Sequence, residues 1–538
     1  MDTETNTEGA AIHPLEAQRR ANRSAIAELG VEPYGERVDG LMALAAARAA
    51  YDEGADVAFQ ETDRARRDAK KSGDPEERWP AFIDDRPVVK VAGRVILHRD
   101  NGSLVWMQVR DHTDVGLQIA ASKRDVAAPG FKVAKKVDLG DVIWVEGRLG
   151  KTQKGEVTVW ASSVGMGSKS LAPPPEKWAG LQDQELRYRK RYVDLYANPE
   201  AMDVFVARSR IVSAIRGELE RRDYLEVETP VLQSQAGGAA ARPFITHINA
   251  LDVDLFLRIA PELYLKRLLV GGMPRVFEFS RNFRNEGVDR SHNPEFTSLE
   301  VYQAFGNYET MAELTEGLLR CAATRVVGAS GGSSDGTGLV LPFGELSIDY
   351  GRAFDRVTFE ELFSRALGFE MWDGERARSD AAARGLKTSG ESGEPLADVL
   401  VVNELFEEVA EPAIDPARPT FVFDYPAALS PLTRPKRDRP ELAERWDLFI
   451  GGMEIGPAYT ELNDPDVQAA KFREQLAGLD DEESTFRTYD TDFVEALKVG
   501  MPPAGGMGMG IDRVTMLLTN SVSIRDVVFF PMMRPLEG

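Results

Sequence analysis

The spacing of apolar residues changes twice along this chain, and each change marks a new part. From His13 to about Lys71 the pattern is helical, in Ala/Arg/Glu-rich stretches such as Leu41–Ala50. Residues 68–85 are charged, are broken by Pro75 and Pro80, and read as a connector. Between Val88 and about Ser170 the period drops to two, in five runs (VVKVAGRVIL, LVWMQVRD, GLQIAAS, DVIWVEGRL, EVTVWASSV) separated by Gly, Asp and Asn turns. Five short alternating strands predict a small antiparallel barrel. A Pro-rich run from Leu171 and the basic RYRKR at 187–191 lead into a larger region. That region opens with a helix carrying Val204, Ile211, Ile215 and Leu219 on one face, then YLEVETPVL, a strand carrying Pro230. Residues 2–9 are expected to be disordered, and 328–335 to form a solvent loop or hairpin tip. The expected division is 1–85, a helical extension; 86–172, the barrel; 173–198, a hinge; and 199–538, the large domain.

Two alternating segments, Val276–Ser280 and Glu295–Tyr302, flank a charged loop and predict an antiparallel hairpin. Period two places Phe296, Ser298, Glu300 and Tyr302 on one face of the second strand, and Thr297, Leu299 and Val301 on the other. The second face suits a core. The first is a polar row that needs a ligand to satisfy it if buried. Arg284 and Glu286 share a parity at the end of the first strand. The Arg284 fork suits phosphate or carboxylate, and the Phe296 ring suits a purine or another flat group.

Composition limits the classes of function. Among 538 residues one cysteine, Cys321, excludes a disulfide framework and a multi-cysteine metal site, and five histidines argue against a His-rich centre. No apolar run approaches the ~20 residues that span a bilayer, and MDTETNTEG is no signal peptide, so the expected location is the cytoplasm. A net charge of −22 argues against broad nucleic-acid binding but leaves room for a local basic patch, with KVAKK at 132–136 and RYRKR as candidates.

Near the end, Gly505-Gly-Met-Gly-Met-Gly-Ile-Asp-Arg513 precedes an apolar helical run, where glycines permit close approach and Arg513 falls near the positive helix end. A dinucleotide fingerprint is excluded by the GxGxG spacing and by the 28 residues that remain after Gly510. A P-loop at Gly150-Lys151-Thr152 is excluded because position 145 is Val and strands lie on both sides. Glu262, Glu300, Glu454 and Glu461 lie in otherwise apolar or Gly-containing sequence. Unpaired carboxylates there cost several kcal/mol, so cations must meet them: an ammonium ligand, metal ions, or both.

FRNEG followed by HNPEFT (283–297) resembles the second signature of class II aminoacyl-tRNA synthetases in its lysyl-tRNA synthetase form, and the resemblance runs from about His13 to the C-terminus. The Gly505–Arg513 segment resembles the third signature, and the helix–strand–Pro230 pattern the first, which builds the family's homodimer interface. The implied fold is α+β: an antiparallel class II catalytic sheet with helices, preceded by an all-β OB-fold barrel. The resemblance further implies that Arg284 contacts the ATP α-phosphate and the substrate carboxylate, that Phe296 stacks on adenine, that Glu286 and His292 surround the nucleotide, and that Arg513 grips the γ-phosphate. By the same resemblance Glu262 and Glu300 hold the lysine α-amino group, Tyr302 and Glu461 hold the ε-ammonium, and Gly238 and Tyr459 line the pocket. Asp447 and Glu454 would hold Mg²⁺ through oxygen, as that hard cation requires. In the barrel, Gln118 and Glu156 match anticodon-reading positions, Trp106 stands where a stacking Phe is usual, and His98-Arg99 where two basic residues are usual.

The chain departs from the family at Asp447, where Glu is common, and at Pro457-Ala458, where many relatives have a polar-small pair such as Asn-Gly. The first shortens an arm; the second removes an amide that would help bind the substrate carboxylate. The implied activity is two-step attachment of L-lysine to tRNA(Lys) through a lysyl-adenylate, with ATP as substrate. It needs no Ser, Cys or His base, because the substrate carboxylate is already a nucleophile. Three rivals stand beside it: an aspartyl- or asparaginyl-type enzyme, disfavoured by the acids; a paralogue that takes a lysine analogue or a non-tRNA acceptor; and an inactive RNA-binding relative.

Overall fold

The computed structural model describes residues 13–79, 81–175, 181–239, 241–329, 338–390, 393–477 and 489–536; the expectations for residues 2–9 and for 330–335 of the loop tip lie outside them. The chain divides into two compact units, 1–203 and 204–538.

The first unit begins with α1 (Pro14–Glu28), α2 (Leu44–Ala49) and α3 (Glu53–Lys71). Strands β1 (Val88–Asp100), β2 (Leu104–Arg110) and β3 (Leu117–Ser122) follow, then α4 (Gly130–Ala134), β4 (Val142–Lys151) and β5 (Val157–Ser168). They close into a barrel in the order β1-β2-β3-β5-β4, with β3 and β5 parallel and the other pairs antiparallel. Alternation does the sorting: Val91, Val105, Met107, Ile119, Ile143 and Val159 point inward and are fully buried. The N-terminal helices join this core through Ile26, Leu44 and Ala47. Helix α2 is shorter than the Leu41–Ala50 pattern suggests, because Met42 bridges to Val91 of β1 and tertiary pairing overrides the helix propensity of the Ala-rich run. The RYRKR run lies on α5 (Gln184–Arg189) and α6 (Arg191–Ala197). Buried Asp194 takes Arg187 at 2.7 Å and Arg191 at 2.5 Å, so part of that basic run is internal.

Helix α7 (Pro199–Arg221) leads into the second unit, followed by β6 (Leu225–Glu226), β7 (Leu232–Gln233), β8 (Ile245–Ile248), β9 (Val253–Leu257) and α8 (Glu262–Val270). The hairpin of β10 (Arg275–Phe283) and β11 (Glu295–Ala304) precedes α9 (Tyr308–Ala329), the pair β12 (Val340–Phe343) and β13 (Leu346–Asp349), and β14 (Asp355–Thr358). Then come α10 (Phe359–Leu367), α11 (Gly374–Arg384), α12 (Asp398–Leu405), β15 (Thr420–Phe423), β16 (Arg445–Ile450) and β17 (Met453–Thr460). Then follow α13 (Pro465–Ala477), α14 (Thr491–Gly500), β18 (Ala504–Gly510) and α15 (Ile511–Leu518). Eight strands form one sheet, β14-β15-β16-β17-β18-β11-β10-β6, antiparallel except for the outermost pair at each edge.

One face of this sheet is core. Leu299 and Val301 of β11 and Met507 and Met509 of β18 pack against Ile211, Ile215 and Leu219 of α7, Met311 and Leu318 of α9, and Val514 and Leu517 of α15. Each such fully buried side chain contributes about 1.5–3 kcal/mol. The opposite face of β11 carries Phe296, Ser298, Glu300 and Tyr302 into a cleft. Arg208 of α7 pairs with Asp512 of α15 at 2.6 Å, and Asp512 accepts from the Thr297 N–H at 2.8 Å, which ties α15 to the start of β11.

Two expectations change, and two features are added. The glycine-rich segment does precede a helix, α15, and is itself strand β18, between β11 and β17. The strand expected over YLEVETPVL is two short pieces, β6 and β7, with Pro230 between them and out of any ladder. Strand β10 reaches Phe283, so Arg284 and Glu286 stand just beyond its end. Strand β17 pairs with β16 from Met453 to Tyr459 but with β18 only from Ala458, since Pro457 has no N–H to offer that ladder.

At Gly456 the strands are so close that an added Cβ would stand 1.9 Å from the Gly508 carbonyl oxygen. Backbone cannot swing aside as a side chain does. Gly456→Ala is expected to cost about 3 kcal/mol of stability, read as a lowered urea midpoint with an unchanged slope.

Candidate active site

A cavity of about 1350 Å³ opens on the polar face of the large sheet. It gathers residues that are far apart in sequence: Gly238, Glu262 of α8, Arg284 and Glu286, His292, Phe296, Glu300 and Tyr302 of β11, Glu454 and Tyr459 of β17, and Arg513 of α15. Two expected site residues do not line it. Asp447 stands behind Arg445, and Glu461 is wholly buried beneath the cavity floor. Lys387, Leu396 and Leu400, from α12 and the segment before it, form part of the wall, a contribution the sequence pattern did not suggest.

One end of the cavity is acidic. Glu300 is buried and accepts from the Tyr302 hydroxyl at 3.0 Å. Burial first, then the neighbouring Glu262, push the Glu300 carboxyl up to about 8, against the Tyr302 hydrogen bond and Arg284. Burial likewise pushes Glu461 up to about 8, with Lys266 opposing and Glu262 adding to the rise. Lys266, one turn along α8 from Glu262, reaches both acids at 2.5 Å. Burial alone would lower its proton affinity, but Glu262 and Glu461 more than offset that and hold it charged. Gly238 has φ +87°, and a Cβ there would press within 3.1 Å of the Glu262 Cβ, so this turn beside the acid favours glycine.

The other end is cationic. The Arg284 guanidinium sits 5.1 Å over the Phe296 ring, and its Nε is buried without a hydrogen-bond partner among the described residues. Arg513 hydrogen-bonds the Glu454 carbonyl, and its Nη2 lies 3.1 Å from His292 Nε2. Asp289 holds the other His292 nitrogen at 2.9 Å. A charged fork with an open donor, beside an aromatic ring and a second arginine, suits an anionic ligand with a flat group.

Asp447 and Glu454 are hard oxygen donors of the kind Mg²⁺ takes. Arg445 grips Asp447 with two hydrogen bonds, 2.9 and 2.7 Å, which leave each oxygen a further lone pair. Glu454 is crowded by protein yet open to the cavity; burial, then Asp447, raise its proton affinity. Glu411, absent from the sequence reading, belongs to the same acidic group: burial, then Glu454, push it up to about 7. No cluster of three or more His, Cys, Asp or Glu able to hold a metal occurs among the described residues. The two carboxylates therefore fit an ion that keeps waters and ligand phosphates in its shell, which is the usual state of Mg²⁺.

Comparison with known proteins bears on this geometry. Residues 183–534 match the family model described as tRNA synthetases class II (D, K and N), and residues 89–165 match an OB-fold nucleic acid binding domain. A lysine–tRNA ligase of Carboxydothermus hydrogenoformans is 46% identical over 448 residues, 83% of this chain and 89% of that protein. The Escherichia coli (strain K12) lysine–tRNA ligase is 43% identical over 460 residues, 84% of this chain and 87% of its own length. The one from Syntrophomonas wolfei is 39% identical over 529 residues, 97% and 98% of the two chains. The chain belongs to the lysine–tRNA ligase family of class II tRNA synthetases.

The OB-fold of this family member presents three of its four expected contact residues on one outer face. Arg99 of β1 is paired in register with Trp106 of β2, and Ala120 of β3 stands between Trp106 and Trp160 of β5. The two indoles meet edge to face with centroids 5.9 Å apart. Gln118 accepts from the Thr158 hydroxyl at 3.3 Å on the same face. Glu156, in the turn before β5, lies 3.8 Å from Arg48 of the N-terminal region. His98 is committed to the barrel, with Nε2 2.8 Å from the Ala134 carbonyl oxygen. The sequence reading missed Trp160, whose parity with Thr158 in β5 could have flagged it, and Arg445, two residues before Asp447 on the same strand face. Lys266, at i+4 from Glu262 on α8, was also open to discovery.

The raised acids give stability a sign. Below pH 4.5 both folded and unfolded states hold the Glu300 proton; between pH 4.5 and about 8 the folded state alone retains it. Ligand-free stability is therefore expected to fall as pH rises from 5 to 8, by at most about 1.4 kcal/mol per pH unit for one proton. Glu300→Gln should flatten that slope in urea unfolding at a series of pH values.

Proposed function

We infer that the protein attaches L-lysine to tRNA(Lys) through a lysyl-adenylate. The carrying observation is a single cavity with three buried acids, Glu262, Glu300 and Glu461, at or beneath one end and Arg284 and Arg513 at the other. A zwitterion with a second ammonium fits the first end, and a triphosphate fits the second.

In this reading Glu262 and Glu300 hold the α-amino group, while Glu461 and Tyr302 hold the ε-ammonium beside Tyr459 and Gly238. A carboxylate with a phenol suits a compact ammonium better than a planar guanidinium fork. Arg284 orients the substrate carboxylate against the ATP α-phosphate, Phe296 stacks on adenine, and Glu286 and His292 flank the nucleotide. Arg513 holds the γ-phosphate. The carboxylate oxygen attacks the α-phosphorus and pyrophosphate leaves; a terminal ribose hydroxyl of tRNA then attacks the adenylate carbonyl and AMP leaves. Asp447 and Glu454 would hold Mg²⁺, which supplies neutralisation of phosphate charge. The rest of the rate enhancement comes from placement and from arginine charge in a cleft away from bulk water.

On the barrel, Arg99, Trp106, Gln118 and Glu156 form the anticodon contact, with Trp106 as the stacking platform. A homodimer built on α7 and the β6–Pro230 segment, and a cytoplasmic location, complete the reading; no described helix is long and apolar enough to cross a membrane. Pro457 lines the cavity and offers no amide, which favours a second reading in which the site takes a lysine analogue.

ATP–pyrophosphate exchange with each of the twenty amino acids is the test. Exchange with lysine alone is expected, and Arg284→Ala should lower it by about 100-fold or more. Ornithine and other lysine analogues join the panel: exchange with an analogue in preference to lysine would favour the second reading, and no exchange with any of them would overturn both. Trp106→Ala should leave exchange unchanged while raising the KM for tRNA(Lys) about 10-fold, which is the scale of one lost base stack.

A further inference from the structure

We propose that Lys266 is a positioning residue of the amino-acid pocket: a resident ammonium that aims Glu262 and Glu461 and trims the pocket's charge to suit an amino acid with two ammonium groups. The proposal rests on the lysine reading of the site given above.

The geometry is specific. Lys266 is fully buried, and its Nζ lies 2.5 Å from Glu262 Oε1 and 2.5 Å from Glu461 Oε2. Glu262 opens α8, whereas Glu461 directly follows β17, so one side chain couples two distant elements. Each acid gives one oxygen to Lys266 and keeps the other. Glu461 Oε1 is buried with no hydrogen-bond partner among the described residues, and it lies where a Cβ on Gly506 would come within 2.1 Å. Glu262 Oε2 faces Gly238, 3.8 Å from where a Cβ would stand. Lys266 itself does not line the cavity, so it acts on the substrate only through the acids. Glu300 and Tyr302 of β11, Tyr459 of β17 and the Phe493 ring of α14, 6.0 Å from Nζ, surround this cluster.

Stability alone does not account for this arrangement. A buried ion pair gains little over apolar packing of the same volume, and here three charged groups lie out of water together. The charge count supplies a reason. Once a bound ligand's ammonium groups have displaced the protons that burial retains, Glu262, Glu300 and Glu461 provide three carboxylates, and one ammonium from Lys266 leaves two. Lysine brings two ammonium groups, while Arg284 stands ready for its carboxylate. Without Lys266 the two acids would hold a proton between them to higher pH, and each would be free to turn.

The test uses the full-length protein and Lys266→Gln, which keeps a donor but removes the charge. The expected result is a lysine KM raised at least 10-fold in ATP–pyrophosphate exchange, an ATP KM within 2-fold of wild type, and an acid limb of kcat/KM for lysine moved to higher pH. A cooperatively folded Lys266→Gln with lysine KM within 2-fold of wild type and an unmoved acid limb would overturn the proposal. If Lys266→Gln does not fold, Lys266→Arg decides, because it keeps the charge and changes the reach. A lysine KM raised 3-fold or more with the ATP KM unchanged supports the positioning role, and an unchanged lysine KM overturns it. Wild-type protein run alongside separates the two failures: loss of exchange there removes the lysine reading, whereas normal exchange in both proteins removes only the role of Lys266.

Discussion

An ionised carboxylate taken out of water costs several kcal/mol unless a cation or donor meets it, and the C-terminal unit holds Glu262, Glu300 and Glu461 together at one end of its cavity. Much of the site can be read as the response to that cost. Tyr302 donates to Glu300, Lys266 bridges Glu262 and Glu461, and among the described residues Glu461 Oε1, beside Gly506, has no hydrogen-bond partner. A pocket left short of positive charge is a pocket prepared for a cationic ligand, because the ligand completes a balance the protein alone leaves open.

The sheet makes this affordable in space. Strand β11 gives one face to a dense apolar core and the other to the cleft, and β18 lies beside it with methionines on the core side and glycines on the cleft side. The missing side chain at Gly506 leaves room for Glu461 and Tyr302, since a Cβ there would stand 2.1 Å from Glu461 Oε1. The same packing anchors the cationic end, since Arg208, Asp512 and Thr297 fix the first turn of α15, from which Arg513 reaches His292. Acidic and basic ends are thus held by one rigid scaffold, so that an amino acid and a triphosphate would meet at a set distance.

The barrel follows a different physical rule. Its interior is filled by alternating aliphatic residues, and its outer face exposes Trp106, Trp160, Gln118 and Arg99 on neighbouring strands. The buried charges of this unit, such as Lys169 with Asp141 at 2.7 Å, are paired with one another. Flat rings and exposed polar groups on a stiff surface suit a partner that brings its own bases to stack, which is a surface task, whereas the cleft excludes water to strengthen a few charges.

Local pattern was enough for much of this. Period two between Val88 and about Ser170, and in Val276–Ser280 and Glu295–Tyr302, specified the barrel and the hairpin, and parity alone separated Glu300 and Tyr302 from Leu299 and Val301. The signatures around Arg284 and Arg513 named the family that the comparisons bear out. Other features depend on residues far apart in sequence. The glycines of β18 carry no pattern that distinguishes a loop from a central strand, and only the neighbours β11 and β17 make them a strand. Helix α2 shrank because Met42 pairs with Val91, a partner elsewhere in the chain that outweighed local preference, whereas Pro230 stands between β6 and β7 because it has no N–H for a ladder. The sequence by itself determined which residues are apolar, which are charged and with what period they recur; the tertiary structure alone decided that Lys266 meets Glu461, because the distance between two charges depends on the packing of the whole sheet and on no local spacing.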